Sequence, residues 1–134
     1  MENVMVEMTP REEGGSCDMV CKLTDFGFSC VLDPGSNLSL VLGTPLYMAP
    51  ELMRSEQYDR SVDIWALGVI TFGVLTSTYP FDGKNKNEVE EKVKSEATKP
   101  KYELLDRFWR NGEPVKSFIQ GCLAKDPTQR LTAE

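Results

Sequence analysis

Ser61-Val62-Asp63-Ile64-Trp65-Ala66-Leu67-Gly68-Val69-Ile70-Thr71-Phe72-Gly73-Val74-Leu75 is the stretch on which the fold turns. Ser61 suits a helix N-cap, Asp63 suits the positive end of a helix dipole, and the residues from Val62 onward are apolar nearly all round. A helix apolar on every face has to be covered on every face, so this one is expected to be the spine of its domain. The apolar run reaches Ser77, broken by Asp63 and two glycines. It falls short of the roughly twenty residues that cross a bilayer, which argues against a membrane span.

Working outward toward the C-terminus, Pro80 and Asp82-Gly83 end that region, and Asn87 to Ser95 carries Val89 and Val93 four apart among charges, as a surface helix would. Lys99 to Asn111 is less regular, with Tyr102, Leu104, Leu105, Phe108 and Trp109 as expected core anchors. Pro114 then sits where a first-turn proline is tolerated, and Val115, Phe118, Ile119, Cys122 and Leu123 fall on one face of a helix. Asp126-Pro127 breaks that helix, and Thr132-Ala133-Glu134 reads as the first turn of another.

Toward the N-terminus, Glu51 to Arg54 suits a short helix after Pro50. Residues 31 to 50 form an irregular segment, because Asp33-Pro34-Gly35 is a turn signal and Gly43, Pro45 and Pro50 prevent a long helix. A loop of that length in a compact domain is usually functional or disordered rather than a passive connector. Residues 3 to 30 read as a β-hairpin around the charged, glycine-rich stretch Thr9 to Asp18. The fold class is therefore mainly α, with one short hairpin.

Composition limits the chemistry. The 134 residues are 40% apolar and 27% charged, as in a soluble globular domain, and the net charge is −6. That balance argues against a nucleic-acid surface, and with no histidine there is neither a His-based nucleophilic triad nor a His metal ligand. Cys17, Cys21, Cys30 and Cys122 form no paired C-x-x-C units and read as reduced thiols rather than a zinc or redox site. The N-terminus lacks the basic flank and apolar run of a signal peptide, so the cytoplasm or nucleus is the expected location.

The chemistry-bearing residues lie in the irregular segment and at its edges. Lys22-Leu23-Thr24-Asp25-Phe26-Gly27 puts a carboxylate at the end of a strand, where it can hold Mg²⁺ against nucleotide phosphates. Alone, Asp-Phe-Gly reads more readily as a strand-ending turn with Phe26 in the core. Sixteen residues after Gly27 stands Gly43-Thr44-Pro45-Leu46-Tyr47-Met48-Ala49-Pro50-Glu51, and twelve after Glu51 stands Asp63-Ile64-Trp65-Ala66-Leu67-Gly68. Leu123-Ala124-Lys125-Asp126-Pro127-Thr128-Gln129-Arg130 closes the series.

In order, spacing and identity these motifs resemble the large, C-terminal lobe of a eukaryotic serine/threonine protein kinase, over essentially the whole chain. The resemblance implies a partial kinase domain over residues 1–134 without the N-lobe, with residues 25–51 as its activation segment. Glu2-Asn3-Val4-Met5-Val6 looks like the end of the family's catalytic loop, which places the catalytic aspartate before Met1 and leaves no catalytic residue within the chain. By the same resemblance Asp25 and Asn3 are the metal ligands, binding Mg²⁺ against the phosphates of ATP. Phe26 packs to set the posture of the loop, and Gly27 gives the backbone its freedom.

Further roles follow from the same likeness. Gly43, Thr44 and Pro45 form the platform for the peptide substrate, with Thr44 similar to the serine/threonine class. Glu51 pairs with Arg130, although two such residues elsewhere would be solvated surface charges. Asp63 anchors the catalytic loop backbone, its alternative role being a first-turn carboxylate on the helix dipole. Tyr79-Pro80-Phe81, Trp109 and Asp126-Pro127-x-x-Arg130-Leu131-Thr132-Ala133 are similar to calcium/calmodulin-dependent and calcium-dependent protein kinases.

The departures from the pattern shape the functional expectation. The chain has no glycine-rich phosphate loop, no V-A-I-K lysine with its partner glutamate and no catalytic-loop aspartate, so Mg²⁺ and ATP belong to the parent family and the isolated chain is expected to be inactive. Leu40 stands where many such kinases carry a phosphorylated threonine, leaving Ser36 and Ser39 as modification sites or ordinary loop serines. Thr9 to Asp18 is an insertion relative to the usual hairpin. Expected partners are a protein substrate, the missing N-lobe region, or a second copy through an apolar face of the Val62 to Leu75 helix. The alternative is a free-standing, pseudokinase-like binding module.

Overall fold

A computed structural model describes residues 3–10, 17–106 and 113–133. It divides into two compact units, Met1–Val31 and Leu32–Glu134. The first is a two-stranded antiparallel hairpin of β1 (Val4–Pro10) and β2 (Cys17–Leu23), with Val4 opposite Leu23 and Pro10 opposite Cys17. Side chains alternate across a strand, so Val4, Val6 and Met8 share a face with Met19, Cys21 and Leu23, while Glu7 and Lys22 form an ion pair on the other.

The second unit is helical: α1 (Pro50–Met53), α2 (Ser61–Thr76), α3 (Lys86–Lys94) and α4 (Glu113–Cys122), with short 3-10 turns at Pro45–Tyr47, Tyr102–Leu105 and Pro127–Gln129. Helix α2 is the spine that its sequence announces. Trp65, Val69 and Phe72 are almost wholly buried and form the core with Ala49, Phe81, Val89, Val93, Leu105, Ile119 and Leu123. Gly68 is where α4 comes closest, since a Cβ added there would lie 2.6 Å from Cys122 Cβ. Only a residue without a side chain permits that approach.

Two details of α2 correct the sequence reading. Ser61 is the first helical residue rather than the cap, and the Asp59 carboxylate instead accepts the Ser61 N–H at 2.8 Å. A short carboxylate two residues upstream reaches that orphan amide without leaving its own turn. Burial is also not complete round the helix: Leu67 is 44% exposed and Val74 66%, so this stripe lies open on the described surface. The helix ends with Ser77 in the left-handed region (φ 56°), its N–H donating to the Gly73 carbonyl.

Helix α3 forms for local reasons. Asn85 caps it by accepting the Glu88 N–H at 3.0 Å, and Glu88–Lys92 and Glu90–Lys94 pair one turn apart. Val89 and Val93 point into the core. On α4, Ile119 and Cys122 are buried, as is Leu123 just beyond it, while Phe118 sits at the rim. Tyr102 and Leu104 are half-buried and Leu105 buried; Phe108 and Trp109 lie outside the described residues. Leu131 N–H donates to the Gly121 carbonyl and Arg130 is extended; the turn expected over Thr132-Ala133-Glu134 runs into Glu134, which lies outside the described residues.

Candidate functional site

In the hairpin unit, strand register brings the two expected metal ligands together. Val4 pairs with Leu23, and Thr24 N–H donates to the Asn3 carbonyl at 3.0 Å, so the ladder closes where both side chains emerge. Asp25 then turns into the left-handed region, φ 63°, a conformation an aspartate tolerates better than most residues. Its carboxylate accepts the Asn3 side-chain amide at 3.4 Å through one oxygen and the Gly27 N–H at 3.3 Å through the other. All three residues are exposed.

These residues fit a divalent cation that brings its own phosphate oxygens. Mg²⁺ usually takes one or two carboxylates plus phosphate and water, and rotating the Asn3 amide presents its oxygen beside Asp25. Gly27 serves the arrangement by closeness, because a Cβ there would meet Asp25 Oδ1 at 3.2 Å. Phe26, expected to pack, is instead 66% exposed. Its carbonyl accepts the Ser29 N–H at 3.0 Å, so the tripeptide forms a tight turn that holds the ring outward. Among the described residues no cluster of three or more Cys, Asp or Glu forms a further metal site.

In the helical unit, Gly43 has φ 117°, a value L side chains rarely adopt, while the nearest atom to an added Cβ is 3.9 Å away; its requirement is torsional, not steric. Thr44 is extended and its carbonyl accepts the Tyr47 N–H, which starts the 3-10 turn at Pro45. Pro50 then occupies the first position of α1, where its missing N–H costs nothing, and this sets Glu51 into the first turn.

Glu51 and Arg130 meet in the interior, their side chains 4% and 0% exposed. The guanidinium grips both carboxylate oxygens, at 2.5 and 2.7 Å, and donates through Nε to the Ala124 carbonyl at 2.8 Å. A weaker bond at 3.3 Å reaches the Ser61 carbonyl at the head of α2. The guanidinium also lies 5.2 Å from the Trp65 ring, which stacks on Phe81, and Lys125 covers Phe81 in turn at 5.2 Å. The alternative of two solvated charges therefore does not hold: residues 79 apart in sequence join α1, α2 and the segment after α4.

Desolvation and hydrogen bonding shape the charges around this frame. Asp63 is exposed at its outer edge, yet its packed surroundings push its carboxyl pKa up. Hydrogen bonds from Ser61, with its side chain contributing most, hold Asp59 down. Burial pushes the Cys122 thiol up and the Lys125 ammonium down, and Lys125 donates to the Lys92 and Ser95 carbonyls at the C-terminal end of α3.

Sequence reasoning missed Tyr58. Its backbone exchanges two hydrogen bonds with Leu38, at 2.8 and 3.0 Å, and its hydroxyl donates to the Leu40 carbonyl at 2.6 Å. A single tyrosine in the polar stretch Ser55 to Arg60 carries no periodic signal that would have revealed it.

Comparison with known proteins agrees with the motif series. The sequence profile of the protein kinase domain matches residues 1–134. The chain is 37% identical over 118 residues to a probable myosin light chain kinase of Dictyostelium discoideum, covering 87% of this chain and 33% of that protein. It is 34% identical over 134 residues to the death-associated protein kinase dapk-1 of Caenorhabditis elegans, covering 99% and 9% respectively. Against the human serine/threonine-protein kinase ULK3 the identity is 37% over 113 residues, 83% of this chain and 23% of that protein. The chain thus spans a third or less of the length of these relatives.

Proposed function

We propose, given that this chain belongs to the protein kinase family, that it supplies the C-terminal-lobe part of a serine/threonine kinase domain. The parent reaction is transfer of the ATP γ-phosphoryl group to a Ser or Thr hydroxyl. The observation that carries the reading is the Asn3–Asp25 pair at the open end of the hairpin, one amide and one carboxylate within hydrogen-bond reach of each other. Thr44 and the name of the human relative support the serine/threonine class. The calcium/calmodulin-dependent and calcium-dependent likeness rests on Tyr79-Pro80-Phe81 and the Asp126 to Ala133 ending.

In this reading Asp25 and Asn3 hold Mg²⁺, which when bound neutralises charge on the β- and γ-phosphates. Asp25 is oriented by the Gly27 N–H and by the Asn3 amide, and the Val4–Leu23 register fixes their separation. Residues 25–51 act as the activation segment; Gly43, Thr44 and Pro45 support the peptide substrate, and Glu51–Arg130 pins the end of that segment to the helical body. Asp63 holds the backbone of the catalytic loop. By itself the 134-residue chain does not turn over, because phosphoryl transfer needs the phosphate-binding lysine, the glycine-rich loop and the catalytic aspartate acting at once, and none is in this sequence.

Two assays test this. Incubated with Mg-ATP and a basic Ser/Thr peptide, the pure chain is expected to give no phosphopeptide; turnover abolished by Asp25→Ala would overturn the inactivity. Calorimetric titration with Mg-ATP is expected to show weak binding that Asp25→Asn removes. Binding unaffected by that substitution would remove the metal role and favour a pseudokinase-like module that docks a protein partner. Among the described residues no helix is long and apolar enough to cross a membrane.

A further inference from the structure

The stretch between Gly35 and Gly43 is held in an unusual way. Both glycines have φ in the left-handed region, 81° and 117°, and an added Cβ at Gly35 would meet nothing within 4 Å. Backbone torsion, rather than crowding, therefore selects glycine at each end of the stretch. Between them every residue is exposed except half-buried Leu38. Such a segment has little apolar burial of its own to order it.

Order comes from one side chain and its backbone. Leu38 N–H donates to the Tyr58 carbonyl at 2.8 Å, and Tyr58 N–H returns a bond to the Leu38 carbonyl at 3.0 Å, an isolated antiparallel bridge. The Tyr58 hydroxyl then reaches past it to the Leu40 carbonyl at 2.6 Å. Tyr58 itself is seated firmly, because Asp59 and Arg60 lead directly into the first turn of α2: Val62 N–H donates to the Asp59 carbonyl and Asp63 N–H to that of Arg60. The latch therefore ties the exposed stretch to the head of α2, the helix that carries the core residues Trp65, Val69 and Phe72. Beyond the latch the chain passes through Gly43 into Thr44 and the 3-10 turn at Pro45.

We propose that Tyr58 is a positioning residue that fixes the Gly43–Thr44–Pro45 platform by latching Leu38 and Leu40 to the head of α2, so that the segment is ordered without an added phosphate. The functional meaning rests on reading residues 25–51 as an activation segment; the latch itself does not. Its signature is a hydroxyl whose removal loosens one loop and the turn that follows it, and nothing else.

Amide hydrogen exchange on the full 134-residue chain and its Tyr58→Phe variant tests this, since phenylalanine keeps the ring and removes only the hydroxyl. Losing one hydrogen bond is expected to speed exchange at Leu38, Tyr58, Tyr47 and Met48 about three- to tenfold, with Val69 and Phe72 in α2 unchanged. Leu38→Pro removes the donor at the other end of the latch and is expected to give the same pattern at Tyr58, Tyr47 and Met48. Unchanged exchange in Tyr58→Phe would overturn the proposal. So would acceleration by the same factor throughout α2 and α4, which marks general loss of stability. Mg-ATP binding at Asn3 and Asp25 is measured separately, so either reading can fail without the other.

Discussion

Replacing Arg130 with methionine leaves the Glu51 carboxylate in the interior with neither of its two short charge-assisted bonds. Burying an ion is tolerable only when it is paired; removing one partner typically costs about 3–5 kcal/mol, because the remaining charge stays desolvated. Arg130 supplies more than charge here. Its Nε bond to the Ala124 carbonyl and its place over Trp65 are lost as well, although methionine refills much of the volume. Against a typical domain stability of about 5–15 kcal/mol, that loss is a large fraction of the total. Urea unfolding followed by circular dichroism, at fixed protein concentration, measures it.

Further variants separate charge from geometry, each set against wild type and Arg130→Met. Arg130→Lys keeps the charge but not the fork, and should fall between the two. The double variant Glu51→Gln/Arg130→Met should recover part of the loss, since no ion is left buried. A loss below about 1 kcal/mol in Arg130→Met is the behaviour of an exposed pair and would mean that Glu51 and Arg130 are not buried together.

Other parts of the fold make separate predictions. Gly68→Ala places a Cβ 2.6 Å from Cys122 Cβ and is expected to destabilise by about 1–3 kcal/mol through overpacking; an unchanged urea midpoint would mean that α2 and α4 are not in such close contact. Asn85→Ala removes the cap of α3 and should cost about 1 kcal/mol, with faster amide exchange confined to its first turn. Burial raises the Tyr102 hydroxyl to about 12, from an ordinary 10.0, so it contributes stability that is present below pH 10 and lost as pH rises toward 12. Ultraviolet titration should show a tyrosine ionising near pH 12 in the wild type that is missing from Tyr102→Phe. Leu67 and Val74 leave an apolar stripe open on α2, and self-association detected by sedimentation should weaken in Leu67→Ser/Val74→Ser.

The elements legible in the sequence were those with a repeating pattern. The apolar run of α2, the four-residue spacing of Val89 and Val93, and the face carrying Ile119, Cys122 and Leu123 each express burial at helical period, and the structure buries them. Tight turns were legible through glycine and proline at Gly35, Gly43 and Pro45. What escaped was set by single contacts: the choice of Asp59 over Ser61 to receive the first orphan amide of α2, and the reach of the Tyr58 hydroxyl to a carbonyl 18 residues away. The outward turn of Phe26 is of the same kind, decided by one backbone hydrogen bond. The Glu51–Arg130 pair was implied by motif likeness, and no local rule connects residues so far apart.

The proposed metal-binding role of Asn3 and Asp25 is tested most directly with Mn²⁺ in place of Mg²⁺, because a paramagnetic ion broadens nearby amide resonances even when binding is weak. With Mn²⁺ and ATP, the amides of Asn3, Asp25 and Gly27 are expected to broaden first, and Asp25→Asn is expected to abolish the effect. Broadening centred instead on Glu90 and Glu91 of α3, or unchanged by Asp25→Asn, would contradict that role.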